Sequence, residues 1–220
     1  LMNSATSHLN FQGPAGVIEA LCDVPECGAY KGTVVISHPH PLFGGTMQNK
    51  VVQTLAKAFV QNGWRAIRFN FRGVGASEGV YDEGRGELED LMSVIAQSQQ
   101  AAETPEGVKP ALALAGFSFG AFVTSHAIAR VMSLGNLGTL DKVVLVGTAA
   151  SRFKVAEVPQ ELHDKTLVVH GEVDDTVPLT SVMDWARPQF LPVTVIPGVE
   201  HFFHGQLPLL RSLVGRHLRA

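Results

Sequence analysis

Short apolar runs rich in β-branched residues alternate along this chain with longer segments whose apolar positions recur at helical spacing, and turn residues bound each run. The runs predict strands over 17–24, 33–37, 65–71, 111–115, 142–146, 166–170 and 193–196. Helices are predicted over 48–61, 87–100, 121–133, 179–190 and 206–218. In the first helix Val51, Val52, Leu55, Ala58 and Phe59 share one stripe, and Asn62-Gly63 ends it with residues that tolerate left-handed geometry. In the second, Leu88, Leu91, Met92 and Ile95 repeat the pattern. Runs such as Thr33-Val34-Val35-Ile36 and Val143-Val144-Leu145-Val146 leave no wet face, so both sides of the sheet must be covered. The pattern therefore predicts an α/β fold, a doubly wound and mostly parallel sheet with helices on both faces.

Length and composition fit that picture. At 220 residues and 45% hydrophobic content, residues 11–220 are expected to form one domain with a sizeable core. Residues 1–10, in which Leu1 precedes Met2, are read as a tail or processing remnant. The segment 148–165 holds only about eighteen residues, too few for an independent folding unit, so no lid domain is expected.

The charge pattern excludes several functions. The net charge is −3 and the 17 Lys and Arg residues are scattered, which gives no footprint for nucleic acid or an anionic membrane. No run approaches the roughly 18 apolar residues of a membrane span, and the first dozen residues lack a signal-peptide pattern, so a cytoplasmic address is expected. The two cysteines, Cys22 and Cys27, make neither a disulfide framework nor a zinc ligand set and are read as ordinary residues near a surface turn.

The candidate chemistry centres on Gly-x-Ser-x-Gly, which occurs twice. Gly116-Phe117-Ser118-Phe119-Gly120 follows directly on a predicted strand and leads directly into a predicted helix. Such a strand–turn–helix setting presents a strained, exposed nucleophile at the carboxyl edge of a sheet. Gly75-Ala76-Ser77-Glu78-Gly79 lacks that setting, since more loop follows before any helix, and Ser77 is assigned a loop role. The glycines Gly73 and Gly75 do not open a helix either, so a dinucleotide site is not supported.

A serine nucleophile needs a base, usually histidine, and a group that fixes the tautomer of that base. Of the nine histidines, His201 and His204 lie just past the last predicted strand. His126 and His217 fall on helices, His163 precedes a strand, and His170 is expected to hydrogen-bond the turn that follows it. That turn offers three acids, Glu172, Asp174 and Asp175, which chemistry alone does not rank. Backbone donors for an oxyanion are expected from Phe119 and from the loop His38-Pro39-His40-Pro41-Leu42-Phe43-Gly44-Gly45. Prolines have no N–H, so His40, Leu42 or Phe43 must donate there. His38 and His40 without a third ligand make a weak metal site.

These motifs, with Phe69-Asn70-Phe71-Arg72-Gly73-Val74-Gly75-Ala76-Ser77, His170-Gly171-Glu172-Val173-Asp174 and Glu200-His201-Phe202-Phe203, resemble the α/β-hydrolase superfamily, in particular its small, lidless bacterial members. The resemblance runs from about Gly13 to the end of the chain. It implies the order nucleophile, acid, base, and on the family pattern it selects Asp174 and His201 beside Ser118, with His40 as the second oxyanion donor. It implies a serine hydrolase of carboxylesterase type that needs no metal or organic cofactor and acts on a small-molecule ester or related acyl substrate. Phe43 and Phe202 are expected to line an apolar pocket, and Phe117, beside the elbow, to pack in the core. Thioester or peptide hydrolysis by the same residues, or a non-catalytic binding role on the same scaffold, are the alternatives. Activity is expected to fall on acidification, because the imidazole base must be neutral to act.

Overall fold

In the computed structural model, which describes residues 4–220, the chain forms an eight-stranded sheet. Its strands are β1 (Ser4–Gly13), β2 (Gly16–Pro25), β3 (Gly32–Ser37), β4 (Trp64–Phe69), β5 (Ala111–Phe117), β6 (Leu140–Val146), β7 (Thr166–Gly171) and β8 (Thr194–Ile196). The spatial order is β1-β2-β4-β3-β5-β6-β7-β8, with β1 and β2 antiparallel and all pairings from β4 to β8 parallel. Five α-helices accompany the sheet: α1 (Lys50–Gln61), α2 (Arg85–Ala101), α3 (Phe119–Leu134), α4 (Leu179–Ala186) and α5 (Leu207–Arg219). One core packs α1 and α5 against one face of the sheet, and the other packs α2, α3 and α4 against the opposite face. The fully buried strands β3 and β4 lie between these layers, as their continuous apolar sequences require.

Most differences from the sequence expectations have a local cause. Strand β4 ends at Phe69, since the amide of Asn70 bonds the Glu19 carbonyl at 3.0 Å and that of Phe71 bonds the ring of His38 at 3.0 Å. Helix α2 begins at Arg85, before the expected start, because the buried Glu87 carboxylate accepts the amides of Asp82 and Gly84 at 2.8 and 2.9 Å. Helix α4 stops at Ala186 and becomes a single 3-10 turn, Arg187–Gln189, because Pro188 cannot donate to the helix. Cys22 lies buried in β2, not near a turn, whereas Cys27 is exposed.

A larger correction concerns the amino-terminal segment. Residues 4–10, read as tail, belong to β1, which pairs along its whole length with β2 and carries Phe11 into the core opposite Ile18. As an edge strand with one wet face, β1 needs few apolar positions, and Leu9 and Phe11 were too sparse to mark it. Residues 1–3 lie outside the described residues.

The chain order reverses between β3 and β5, which pair with each other while β4 and β6 lie on their outer sides. Ligands of open α/β sheets bind at the carboxyl edge of such a switch point. The segment between β6 and β7 contains only irregular chain and a 3-10 helix, Gln160–Lys165, and no separate folded unit covers the edge among the described residues. Among these residues no helix is long and apolar enough to cross a membrane.

Candidate active site

Ser118 sits between β5 and α3 with φ 57° and ψ −116°, a backbone conformation that is strained for a residue with a Cβ. The strain persists because the surroundings leave no alternative. Its amide bonds the Val146 carbonyl at 2.9 Å, and its carbonyl receives the amide of Ala121 at 3.0 Å. A Cβ on Gly116 would stand 2.5 Å from the Gly120 carbonyl oxygen, and one on Gly120 would collide with the carbonyls of Ser37 and His38. Both flanking glycines are therefore required by close approach.

The loops after β7 and β8 bring the partners. Glu172 and Val173 donate their amides to the carbonyls of Ile196 and Val199 at 3.0 and 3.1 Å, and the Glu172 carboxylate accepts the Gly198 amide at 2.8 Å. These bonds zip the two loops together. Phe203, at φ 56°, turns its ring into the core and anchors the second loop. Asp174 and His201 consequently meet inside the protein.

His201 Nδ1 lies 2.6 Å from Asp174 Oδ2, and His201 Nε2 lies 3.1 Å from Ser118 Oγ. The other carboxylate oxygen, Oδ1, accepts the amides of Thr176 and Val177 at 3.0 and 2.7 Å. With an acceptor-only carboxylate on Nδ1, that nitrogen carries the proton, and Nε2 accepts from the Ser118 hydroxyl. All three residues are buried. His170 backs the arrangement: its Nε2 donates to the Val177 carbonyl at 2.7 Å and lies 3.4 Å from Asp174 Oδ2, and burial lowers its pKa so that it stays neutral.

The alternatives fall elsewhere. Asp175 is exposed, Glu172 is the strut just described, and His204 is an exposed partner of Glu200 at 3.2 Å. Ser77 is buried away from His201, its hydroxyl donating to the Asn70 carbonyl at 2.7 Å and accepting the Glu19 amide at 3.0 Å.

The expected oxyanion donors are the amides of Phe119 and His40. Phe119 N–H is in the first turn of α3, where no helical acceptor exists. In the loop after β3, the amides of Leu42 and Phe43 are taken by His40 Nδ1 and the His40 carbonyl at 3.2 and 3.1 Å, whereas no hydrogen bond among the described residues uses the His40 amide. The rings of both loop histidines are also committed. His38 Nε2 accepts from Phe71 N–H, its Nδ1 faces the Pro39 carbonyl at 2.7 Å, and complete burial lowers its pKa to about 4. His40 Nε2 meets the Tyr81 hydroxyl at 3.2 Å, and burial, then the charge of Arg152, lower its pKa.

A cavity of about 310 Å³ opens above Ser118 and His201. Phe43, Phe119, Phe153 and Phe202 supply its apolar wall, with Asn49, Arg152 and Thr176 as polar members. Phe43 and Phe202 thus stand where the sequence placed them. Phe117 packs in the core, as expected. Phe153 and Arg152, on the turn after β6, carry no motif that could have announced them. A larger depression of about 850 Å³ near Phe190 touches none of the Ser118, His201 or Asp174 side chains.

Comparison with known proteins agrees with this fold. The model of the family described as serine aminopeptidase, S33, matches residues 28–166, which include the elbow but end before Asp174 and His201. A crystal structure from Xanthomonas campestris, described as a member of the α/β serine hydrolases without a lid, is 31% identical with a TM-score of 0.85 and covers 100% of this chain and 96% of its own. An α/β serine hydrolase homologue from Coxiella burnetii is 37% identical with a TM-score of 0.78, covering 96% and 97%. An uncharacterized protein of Rickettsia prowazekii is 37% identical over 123 residues, 54% of this chain and 48% of the relative, so the chain spans about half the length of that curated relative. The chain is a member of the α/β-hydrolase superfamily and belongs to the family described as serine aminopeptidase, S33.

Proposed function

We propose that the chain is a carboxylesterase-type enzyme that cleaves small or short-acyl esters through an acyl-enzyme at Ser118. The observation that carries this reading is the continuous hydrogen-bond relay from Ser118 Oγ through His201 to Asp174 at the floor of an apolar cavity. His201 Nε2 takes the hydroxyl proton as Oγ attacks the ester carbonyl. The amides of Phe119 and His40 receive the oxyanion. The intermediate collapses, the alkoxide takes the proton from His201, and the acyl group stays on Oγ. Water, deprotonated by His201, then attacks the acyl-enzyme and releases the acid. Asp174 remains ionised and holds the imidazole in its tautomer.

The cavity also favours an ester over a peptide with a free amino terminus. An ammonium group calls for an acceptor, ideally a carboxylate. Among the described residues no Asp or Glu lines the cavity, and its one permanently charged side chain is the cation Arg152. The expected result is turnover of a short-chain p-nitrophenyl ester by the wild type and its loss in Ser118→Ala, together with loss of covalent labelling by a fluorophosphonate probe. Labelling that persists in Ser118→Ala sinks the nucleophile assignment. Aminoacyl amides cleaved faster than short esters would sink the ester reading.

A further inference from the structure

Arg152 is placed with care. It stands on the turn after β6, where the amide of Ala149 approaches the Ser118 carbonyl at 3.4 Å and the amides of Arg152 and Phe153 return to the Ala149 carbonyl at 3.4 and 3.1 Å. The turn is thus fixed against the elbow itself. From it the guanidinium, a member of the cavity lining, lies 5.9 Å from the centre of the Phe43 ring, on the loop after β3. Arg152 and Phe43 therefore meet at the wall of the cavity that Ser118 also lines.

The electrostatic surroundings leave this cation unused. Arg152 makes no ion pair among the described residues, as is also true of Arg65, Arg211, Arg216 and Arg219, but of these arginines Arg152 alone lines the cavity. Two acids of the site loops are engaged: Asp174 by His201 and two amides, and Glu200 by the amides of Phe202 and His204 at 2.8 and 2.7 Å. The charge is felt inside the site, since it helps hold the His40 imidazole neutral. A guanidinium also offers a planar fork of donors that matches a carboxylate in two parallel hydrogen bonds. A phosphate dianion would call for further cations or a nest of amides, and the cavity lining supplies no second permanent cation.

We propose that Arg152 binds a carboxylate carried by the substrate, so that the preferred substrates of this site are short esters bearing a negative charge, such as half-esters of small dicarboxylic acids. The inference rests on the ester reading and deepens it. Arg152 holds and orients the substrate, and Phe43 keeps the guanidinium side chain extended over the cavity by cation–π contact.

The test compares mono-p-nitrophenyl glutarate with p-nitrophenyl valerate, a neutral ester of similar length, in wild type, Arg152→Gln and Arg152→Lys. In the wild type kcat/KM should favour the anionic ester by about two- to fivefold, a value suited to a charge-assisted pair at an exposed site. The preference should fall to about one in Arg152→Gln, survive in part in Arg152→Lys, and weaken in high salt. A wild-type ratio near one that Arg152→Gln leaves unchanged overturns the anion site while the ester reading stands. If neither ester is turned over, the ester reading fails, and the anion site is then read directly. Glutarate should slow fluorophosphonate labelling of Ser118 in the wild type and not in Arg152→Gln, and absence of protection in both overturns the proposal.

Discussion

Two segments of this chain share the pattern Gly-x-Ser-x-Gly and use it for opposite purposes. At Ser118 the flanking glycines let strand and helix meet, the serine is forced to a positive φ, and its hydroxyl points at an imidazole. At Ser77 the hydroxyl points inward and ties the loop after β4 to β2 through Asn70 and Glu19. The same five-residue pattern therefore yields a reactive group in one place and a structural clasp in the other. The deciding factor is the length of chain between strand and helix, since α3 starts one residue after Ser118 while α2 starts only at Arg85.

The sharpest way to break the comparison is to remove each hydroxyl. Ser118→Ala should lower kcat by about 10⁴- to 10⁶-fold, the range seen when a relay nucleophile is deleted, with little change in urea midpoint. A loss of less than about tenfold would move the chemistry away from the elbow altogether.

Next in size is the contrast between adjacent acids. Asp174→Asn should cost about 10⁴-fold in kcat, because an amide no longer fixes the proton on His201 Nδ1. Asp175→Asn should stay within about twofold, since its carboxylate is exposed and its one side-chain partner is the Thr176 hydroxyl at 3.5 Å. Equal losses in steady-state kinetics would mean that the acid turn works by its overall charge and not through one oriented oxygen.

How far the sequence disclosed this site depended on the kind of signal each part sends. The elbow was legible because strand period, glycines and helix period meet within a few residues. The acid was legible only as one of three neighbours from the residues themselves. The family pattern pointed to Asp174, and the structure places that carboxylate on His201 by zipping the loops after β7 and β8. Arg152 and Phe153 were not legible, because the wall they form is completed by Phe43 and Phe202 from loops more than forty residues away, as the numbering alone shows, and no periodicity links them. Strand β1 escaped notice for a different reason, since a half-solvated edge strand shows too few apolar positions to stand out.

The Ser77 side of the comparison predicts a stability effect instead of a kinetic one. Ser77→Ala leaves the buried Asn70 carbonyl and the Glu19 amide without their hydroxyl partner, which should cost about 1–3 kcal/mol of unfolding free energy in urea titrations. Turnover should change by no more than a few-fold. A drop in kcat comparable to that of Ser118→Ala, without loss of stability, would erase the distinction between the two motifs.

An effect that shows only on acidification concerns His38, which joins the two regions. Its carbonyl packs against Gly120 of the elbow, and its ring Nε2 accepts the amide of Phe71 at the start of the Ser77 loop. Burial lowers its pKa to about 4, while in the unfolded chain a histidine titrates near about 6.5. Above that value both states are neutral and stability is unaffected. As pH falls below it the unfolded chain takes up a proton that the folded protein refuses, so stability declines until the pH reaches about 4 and then levels off. Between pH 6.5 and pH 5 the loss due to His38 should be on the order of 2 kcal/mol, with His40 and His170 acting in the same direction. His38→Gln keeps an acceptor for Phe71 but has nothing to titrate. Its urea midpoints at pH 7 and pH 5 should lie closer together than those of the wild type, and parallel declines would show that the junction between elbow and clasp is not where acid acts.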